Sequence, residues 1–166
     1  MTAQEIITML DLKPLQGEGG YFRETYRASE TLPGMVFSQK FQNAKPLSTA
    51  IYYLLTPDTC SLLHRLPSDE IYHFYLGDPV IMLQLYPDGG AQTVILGPDL
   101  AAGQQIQVIV PQGVWQGAYL KEGGDYALLG TTMAPGFDYS DFEAGKRDEL
   151  FKKYPAQKKL IRRLTG

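Results

Sequence analysis

The sequence predicts a mainly β protein, a closed antiparallel sandwich or barrel with short helices at its two ends. Three observations lead there. From Tyr21 to about Met133, short runs rich in aliphatic, aromatic and Thr residues follow one another closely, as strands do. Clusters of Gly, Pro and Asp punctuate them, at a spacing that suits an all-β sandwich or barrel rather than βαβ units. Thr2-x-x-Glu5 and Ser140-x-x-Glu143 have capping-box spacing, in which a hydroxyl and a carboxylate reciprocally satisfy free N–H groups at a helix start.

Taken in order, Thr2 opens a short helix carrying Ile6, Ile7, Met9 and Leu10, and Asp11 to Pro14 end it. Gly17 to Gly20 form a turn, because adjacent glycines permit positive φ. Strands are expected over Tyr21 to Arg27, Leu47 to Leu55, Ile71 to Leu76 and Val80 to Tyr86. Four more are expected over Thr93 to Leu96, Ile106 to Val110, Val114 to Leu120 and Tyr126 to Thr132. The turns between them fall at segments such as Gly77-Asp-Pro79, Pro87 to Gly90 and Glu122 to Asp125. Ser140 then starts a helix with Phe142, Leu150 and Phe151 as its apolar stripe, which Tyr154-Pro155 stops. Gln157 to Leu164 form a last short helix.

At 166 residues the chain is expected to be one domain, 1–166, long enough for a sizeable core. The net charge of −3 gives no long-range attraction for nucleic acid or acidic lipid. Eight of the fifteen Lys and Arg lie from Lys146 onward, but Asp148 and Glu149 interrupt them, which suits a solvated helix surface. No nucleic-acid or membrane partner is expected. Cys60 is the single cysteine, so an intrachain disulfide is excluded and a reducing compartment is expected. The start, Met-Thr-Ala-Gln-Glu, lacks the basic and apolar regions of a secretory signal. No apolar run approaches the roughly 20 residues that span a bilayer. These observations together predict a cytoplasmic location.

Both histidines stand in one stretch, His64-Arg-Leu-Pro-Ser-Asp-Glu70-Ile-Tyr-His73-Phe-Tyr-Leu-Gly77, and Pro111-Gln-Gly113-Val-Trp-Gln116 answers it later. A His, a Glu six residues on and a Gly seven beyond resemble the first motif of the cupin superfamily, and the later stretch resembles the second. Five blocks sharpen this: Glu18 to Tyr26, Thr49 to Tyr53, His64 to Glu70, Val114 to Ala118 and Ala134 to Asp138. In this order they resemble the cupin group of bacteria and fungi catalogued as a domain of unknown function. The resemblance implies a cupin double-stranded β-helix, a jelly-roll barrel, with short N-terminal and C-terminal helices and a pocket at one mouth. It also implies a homodimer or higher homo-oligomer. One departure is that Gln16 and Gly17 stand where typical members would carry His-Pro before Glu18-Gly-Gly.

The resemblance implies four metal-ligand positions, and two are lost, with Leu66 and Gln116 where histidines would stand. His64 and Glu70 remain, and two good ligands with one weak amide do not make a tight transition-metal site. No metal and no cofactor are therefore expected. His73 would join Glu70 only across a bulge, because strand alternation puts residues three apart on opposite faces.

A metal-free site remains. His64 is the candidate base, Glu70 its orienting partner and Tyr52 the acid, with Tyr75 and Tyr119 as alternatives, since proton removal beside a carbonyl suits an imidazole. Arg23 is the candidate anchor for a carboxylate or phosphate. His73, Tyr75, Trp115 and Gln116 complete the expected ligand-binding set, with aromatic rings as walls. Structural roles compete: a satisfied histidine, an ion pair of Arg23 with Glu18, Glu24 or Glu70, and core packing for the rings. The function expected is binding of a small polar or anionic metabolite, as a metal-independent isomerase or epimerase of a sugar derivative. The alternatives are a non-catalytic binding protein and a metal-dependent oxygenase or isomerase with atypical ligands.

Overall fold

The computed structural model describes residues 1–166 except Lys40 and Gln42. Helix α1 (Ala3–Met9) begins at the expected capping box: Thr2 Oγ1 accepts from the Glu5 N–H, and Glu5 accepts from the Thr2 N–H. Its apolar side, with Ile6 buried, packs with Leu12, Leu54 and Leu128. The strands that follow are β1 (Lys13–Pro14), β2 (Tyr21–Arg27) and β3 (Thr31–Leu32), then a single turn of helix, α2 (Gly34–Phe37). Next come β4 (Lys45–Pro46), β5 (Thr49–Leu55), β6 (Cys60–Arg65), β7 (Glu70–Gly77) and β8 (Val80–Leu85). The series ends with β9 (Ala91–Leu96), β10 (Gln107–Val110), β11 (Trp115–Leu120), β12 (Ala127–Met133) and β13 (Glu143–Ala144). Helices α3 (Arg147–Lys153) and α4 (Lys158–Arg163) close the described chain.

Two antiparallel sheets face each other, in strand orders β1-β2-β5-β12-β7-β10 and β13-β6-β11-β8-β9. This is the expected mainly β jelly roll. Period-two alternation assigns each strand's residues to the inside or the outside. Leu55, Val80, Met82, Leu96, Val108, Leu120, Ala127 and Leu129 point inward and form one apolar cluster. Fully burying such a side chain contributes about 1.5–3 kcal/mol. At the opposite end of the same strands the inward positions become polar: Thr49, Glu70, Thr131, and Gln116 on the facing sheet. The apolar end plugs the barrel and the polar end makes the site.

Helices α3 and α4 cover the outer face of the second sheet, where Leu150, Tyr154, Ile161 and Leu164 pack on Leu63, Leu83, Leu85 and Trp115. The basic residues of this segment lie along that surface. Arg147 bonds the carbonyls of Thr165 and Gly166, and the Arg163 guanidinium lies 3.8 Å from the Tyr119 ring centroid. Among the described residues no helix is long and apolar enough to cross a membrane.

The expected helix start at Ser140 is not formed. Asp138 accepts from the Ser140 N–H and closes a 3-10 turn over Tyr139–Asp141. Glu143 instead enters β13 and takes Arg65 in a two-pronged ion pair at 2.7 and 2.9 Å. A strand partner with a matching guanidinium thus replaced the local box, and the helix begins at Arg147. Strand β6 was not expected either. Its residues, Cys60-Ser-Leu-Leu-His-Arg65, include no β-branched residue and no Phe, Tyr or Trp, so pairing with β11 and β13 makes it extended.

Candidate functional site

A cavity of about 100 Å³ opens at the polar end of the barrel. Strands β2, β5, β7 and β12 supply one wall. The loop from Gly136 to Phe142 straps across it, tied by the Gly136 N–H to Pro46 O, the Phe137 N–H to Thr49 Oγ1, and Arg27 to Phe137 O. Six aromatic rings line the space: Phe22, Tyr53, Tyr72, Phe137, Tyr139 and Phe142. The charged lining groups are Glu18, Glu24, Glu70 and Arg27.

Glu70 opens β7 and points inward, 6% exposed. Its Oε2 accepts from Gln116 Nε2 at 2.7 Å. Burial, then the nearby Glu18 charge, push the Glu70 carboxyl above its usual range, against the opposing effects of His64, Thr131 and Gln116. Gln116 is itself buried, and its Oε1 has no hydrogen-bond partner.

His64 is held by a bulge. Across β11, Gln116 pairs with His64 and Ala118 with Ser61, so β6 carries one extra residue. That extra residue turns Ser61 and His64, three apart, to the same inner face. His64 Nδ1 stands 2.7 Å from Leu62 O, and a carbonyl only accepts, so Nδ1 carries the proton. Nε2 stands 3.9 Å from Glu18 Oε2. Phe142 stacks on the imidazole with ring centroids 5.1 Å apart. Glu18 and Glu70 therefore form the cavity wall, and His64 and Gln116 support them from behind.

Glu18 reaches this wall because of the glycines after it. Gly19 has φ +102°, and a Cβ there would lie 2.2 Å from Cys60 O. The chain so passes tight against β6, where the Leu62 N–H bonds Glu18 O at 2.8 Å and Ser61 Oγ donates to Glu18 Oε1 at 2.9 Å. Tyr53 donates to Gly19 O at 2.9 Å. Burial first, and the carboxylates second, hold the Tyr53 and Tyr72 phenols well above the usual range.

Of the residues singled out by sequence, the structure brings His64, Glu70 and Gln116 together. It places the others elsewhere, and strand parity is the reason. Arg23, Tyr52, His73 and Tyr75 are on the outer face of the six-stranded sheet. Arg23 lies 5.5 Å from the Tyr52 ring, Tyr52 meets Tyr75 edge to face, and His73 stacks on Tyr75. His73 also meets Thr132 and Gln107, not Glu70, so the bulge that would have joined them is absent from that segment. Trp115 packs outward under the C-terminal helices, with the Arg65 guanidinium 4.6 Å from its ring. Parity also names the residues that were missed. Counting by twos from Glu70 gives Tyr72, and the step from Tyr52 to Tyr53 gives the inward phenol. Glu18 carried a signal as the first residue of its block. Arg27, Ser61 and Phe142 carried none, because bulges and the strap place them.

Arg23, the expected anchor for an anionic guest, is outside, and the lining Arg27 pairs with both Glu24 oxygens at 2.9 and 2.7 Å. The resemblance implies metal-ligand positions, and the residues at two of them do not fit a metal. Leu66 is buried and apolar, and Gln116 spends its amide nitrogen on Glu70. Among the described residues no group of three or more His, Cys, Asp or Glu is arranged to hold an ion.

Two jelly-roll sheets with a polar layer at one mouth define a cupin barrel. Residues 4–145 match the family described as Cupin superfamily (DUF985), and the chain belongs to it. It is 32% identical over 142 residues to the uncharacterized Saccharomyces cerevisiae protein YML079W, covering 80% of this chain and 71% of that one. A hypothetical protein from Leishmania major has a similar structure, with TM-score 0.89, 30% identity and 99% of both chains covered. Protein SO0799 from Shewanella oneidensis superposes with TM-score 0.88 and 31% identity over 100% of this chain and 98% of that one. Bacillus subtilis oxalate decarboxylase shares the fold alone, at TM-score 0.57 and 15% identity, with 95% of this chain matching 38% of that one.

Proposed function

We propose that this cupin binds a small polar metabolite in the barrel cavity and moves protons on it without a metal, as an isomerase or epimerase does. One observation carries the reading: two carboxyl groups, Glu18 and Glu70, and two buried phenols, Tyr53 and Tyr72, line one small cavity. An epimerisation needs one group to take a proton from carbon and another to return one. Glu18, oriented by Ser61, is the base. The C–H bond breaks, its electrons remain as an enolate, and the proton passes to Glu18. Glu70, whose carboxyl burial and the Glu18 charge push above its usual range, is the acid whose proton forms the new C–H bond. Exchange with solvent then returns the lost proton to Glu70 and removes the gained one from Glu18. The cavity of about 100 Å³ is far below the roughly 300–1,000 Å³ of drug-sized sites, so the buried part of the guest is small.

One observation favours the non-catalytic alternative: the imidazole of His64 lies behind the wall, under Phe142. Proton NMR in deuterium oxide separates the two, using small hydroxy- and amino-carbonyl compounds. Loss of a substrate C–H signal in wild type, but not in Glu18→Gln or Glu70→Gln, supports catalysis. Binding without exchange makes the protein a binding module, and no binding by any compound overturns the site.

A further inference from the structure

We propose that the guest of this cavity is a small primary ammonium ion, an inference that rests on the cavity being the binding site. Charge is the first argument. Three carboxyl groups line the space against one guanidinium, whose Nε and Nη2 pair with Glu24. Glu18 has one oxygen on Ser61 and the other 3.9 Å from the nearest imidazole nitrogen, too far for a hydrogen bond.

Hydrogen-bond count is the second argument and is independent of charge. The Glu18 oxygen not held by Ser61 stands 3.9 Å from His64 Nε2, and just behind the lining the Gln116 carbonyl oxygen, 1% exposed, has no hydrogen-bond partner. Buried acceptors without donors are rare and mark a missing partner. A primary ammonium group brings three N–H donors and no acceptor. A hydroxyl brings one donor together with more lone pairs, and an anion brings acceptors only.

The rings are the third. Phe22 lies on the strand wall, and Phe137, Tyr139 and Phe142 are carried by the strap over the same space. Phe137 and Tyr139 meet edge to face with centroids 5.2 Å apart. Ring faces attract a cation and shed water from its methylene groups. Carboxylates at the floor and aromatic rings at the sides together exclude an anionic guest and place an ammonium head inward.

The test compares three probes of matched size by NMR titration of the intact protein: ethanolammonium, ethylene glycol and glycolate. Ethanolammonium should bind about tenfold or more tightly than the other two, and shift signals of Tyr53 and Tyr72. Glu18→Gln should remove that preference, and Glu24→Gln, at the mouth, should weaken it if the first variant does not fold. If glycol or glycolate binds as well as ethanolammonium and shifts the same tyrosines, the cavity reading stands and the ammonium assignment is overturned. If none of the three binds, both are overturned.

Discussion

Gln116 donates to Glu70 at 2.7 Å and leaves its own carbonyl oxygen buried without a donor. The pair lies inside the barrel, where the two sheets face each other at the polar end. Thr131 gives the Glu70 carboxyl a second side-chain partner.

Gln116→Leu removes the amide donor from a buried carboxyl. The Glu70 carboxyl should then titrate at still higher pH, followed by carbon-detected NMR of the side chain. Stability at neutral pH should fall by about 1–3 kcal/mol in urea unfolding, the usual consequence of an unsatisfied buried group. In acid, where Glu70 is protonated, the loss should shrink. An equal loss at both pH values would show that Gln116 acts by packing alone.

Glu70 itself predicts a pH dependence. Its folded pKa is raised above 4.5, chiefly by burial. The folded state then holds the proton more tightly than the unfolded chain. Its contribution is complete below pH 4.5 and is lost as pH rises through the folded pKa. Glu70→Gln removes this slope. Relative to wild type, the variant should gain thermal stability on going from acid to about pH 8. A wild-type and variant difference that is flat with pH would contradict the assignment.

Gly19→Ala should displace Glu18. The backbone there has φ +102°, and a Cβ would lie 2.2 Å from Cys60 O. Strain of this kind costs about 1–3 kcal/mol before the clash is counted. The Leu62 amide, bonded to Glu18 O, should exchange with deuterium faster, and guest binding should weaken with it.

Lys45 and Asp141 form a buried ion pair with both contacts at 2.6 Å, beneath the strap. Lys45→Met leaves the Asp141 charge uncompensated and should cost about 3–5 kcal/mol. Lys45→Met with Asp141→Asn removes both charges and should recover part of that loss. Because Asp141 ends the turn bearing Tyr139, both variants should bind the probes less tightly, measured by the same titrations.

Local signals were enough for much of the fold. Strands β7, β8, β11 and β12 show in runs of Val, Ile, Leu and Tyr bounded by Gly and Pro. Helix α1 shows in its capping box, and helices α3 and α4 in their apolar residues. Strand β6 was silent, because its extended form comes from partners far away in sequence.

By itself the sequence determined the class: a mainly β jelly roll, one polar layer containing His64, Glu70 and Gln116, and the loss of imidazoles at Leu66 and Gln116. Only the tertiary structure decided which side of each strand faces the cavity. A strand's period is two, so a reading off by one residue exchanges inside and outside. That exchange put Tyr52 for Tyr53, and His73 and Tyr75 for Tyr72. The bulge that turns Ser61 and His64 together, and the Gly19 passage that brings Glu18 to the wall, depend on which backbone each strand meets. No pattern within the strand records that encounter.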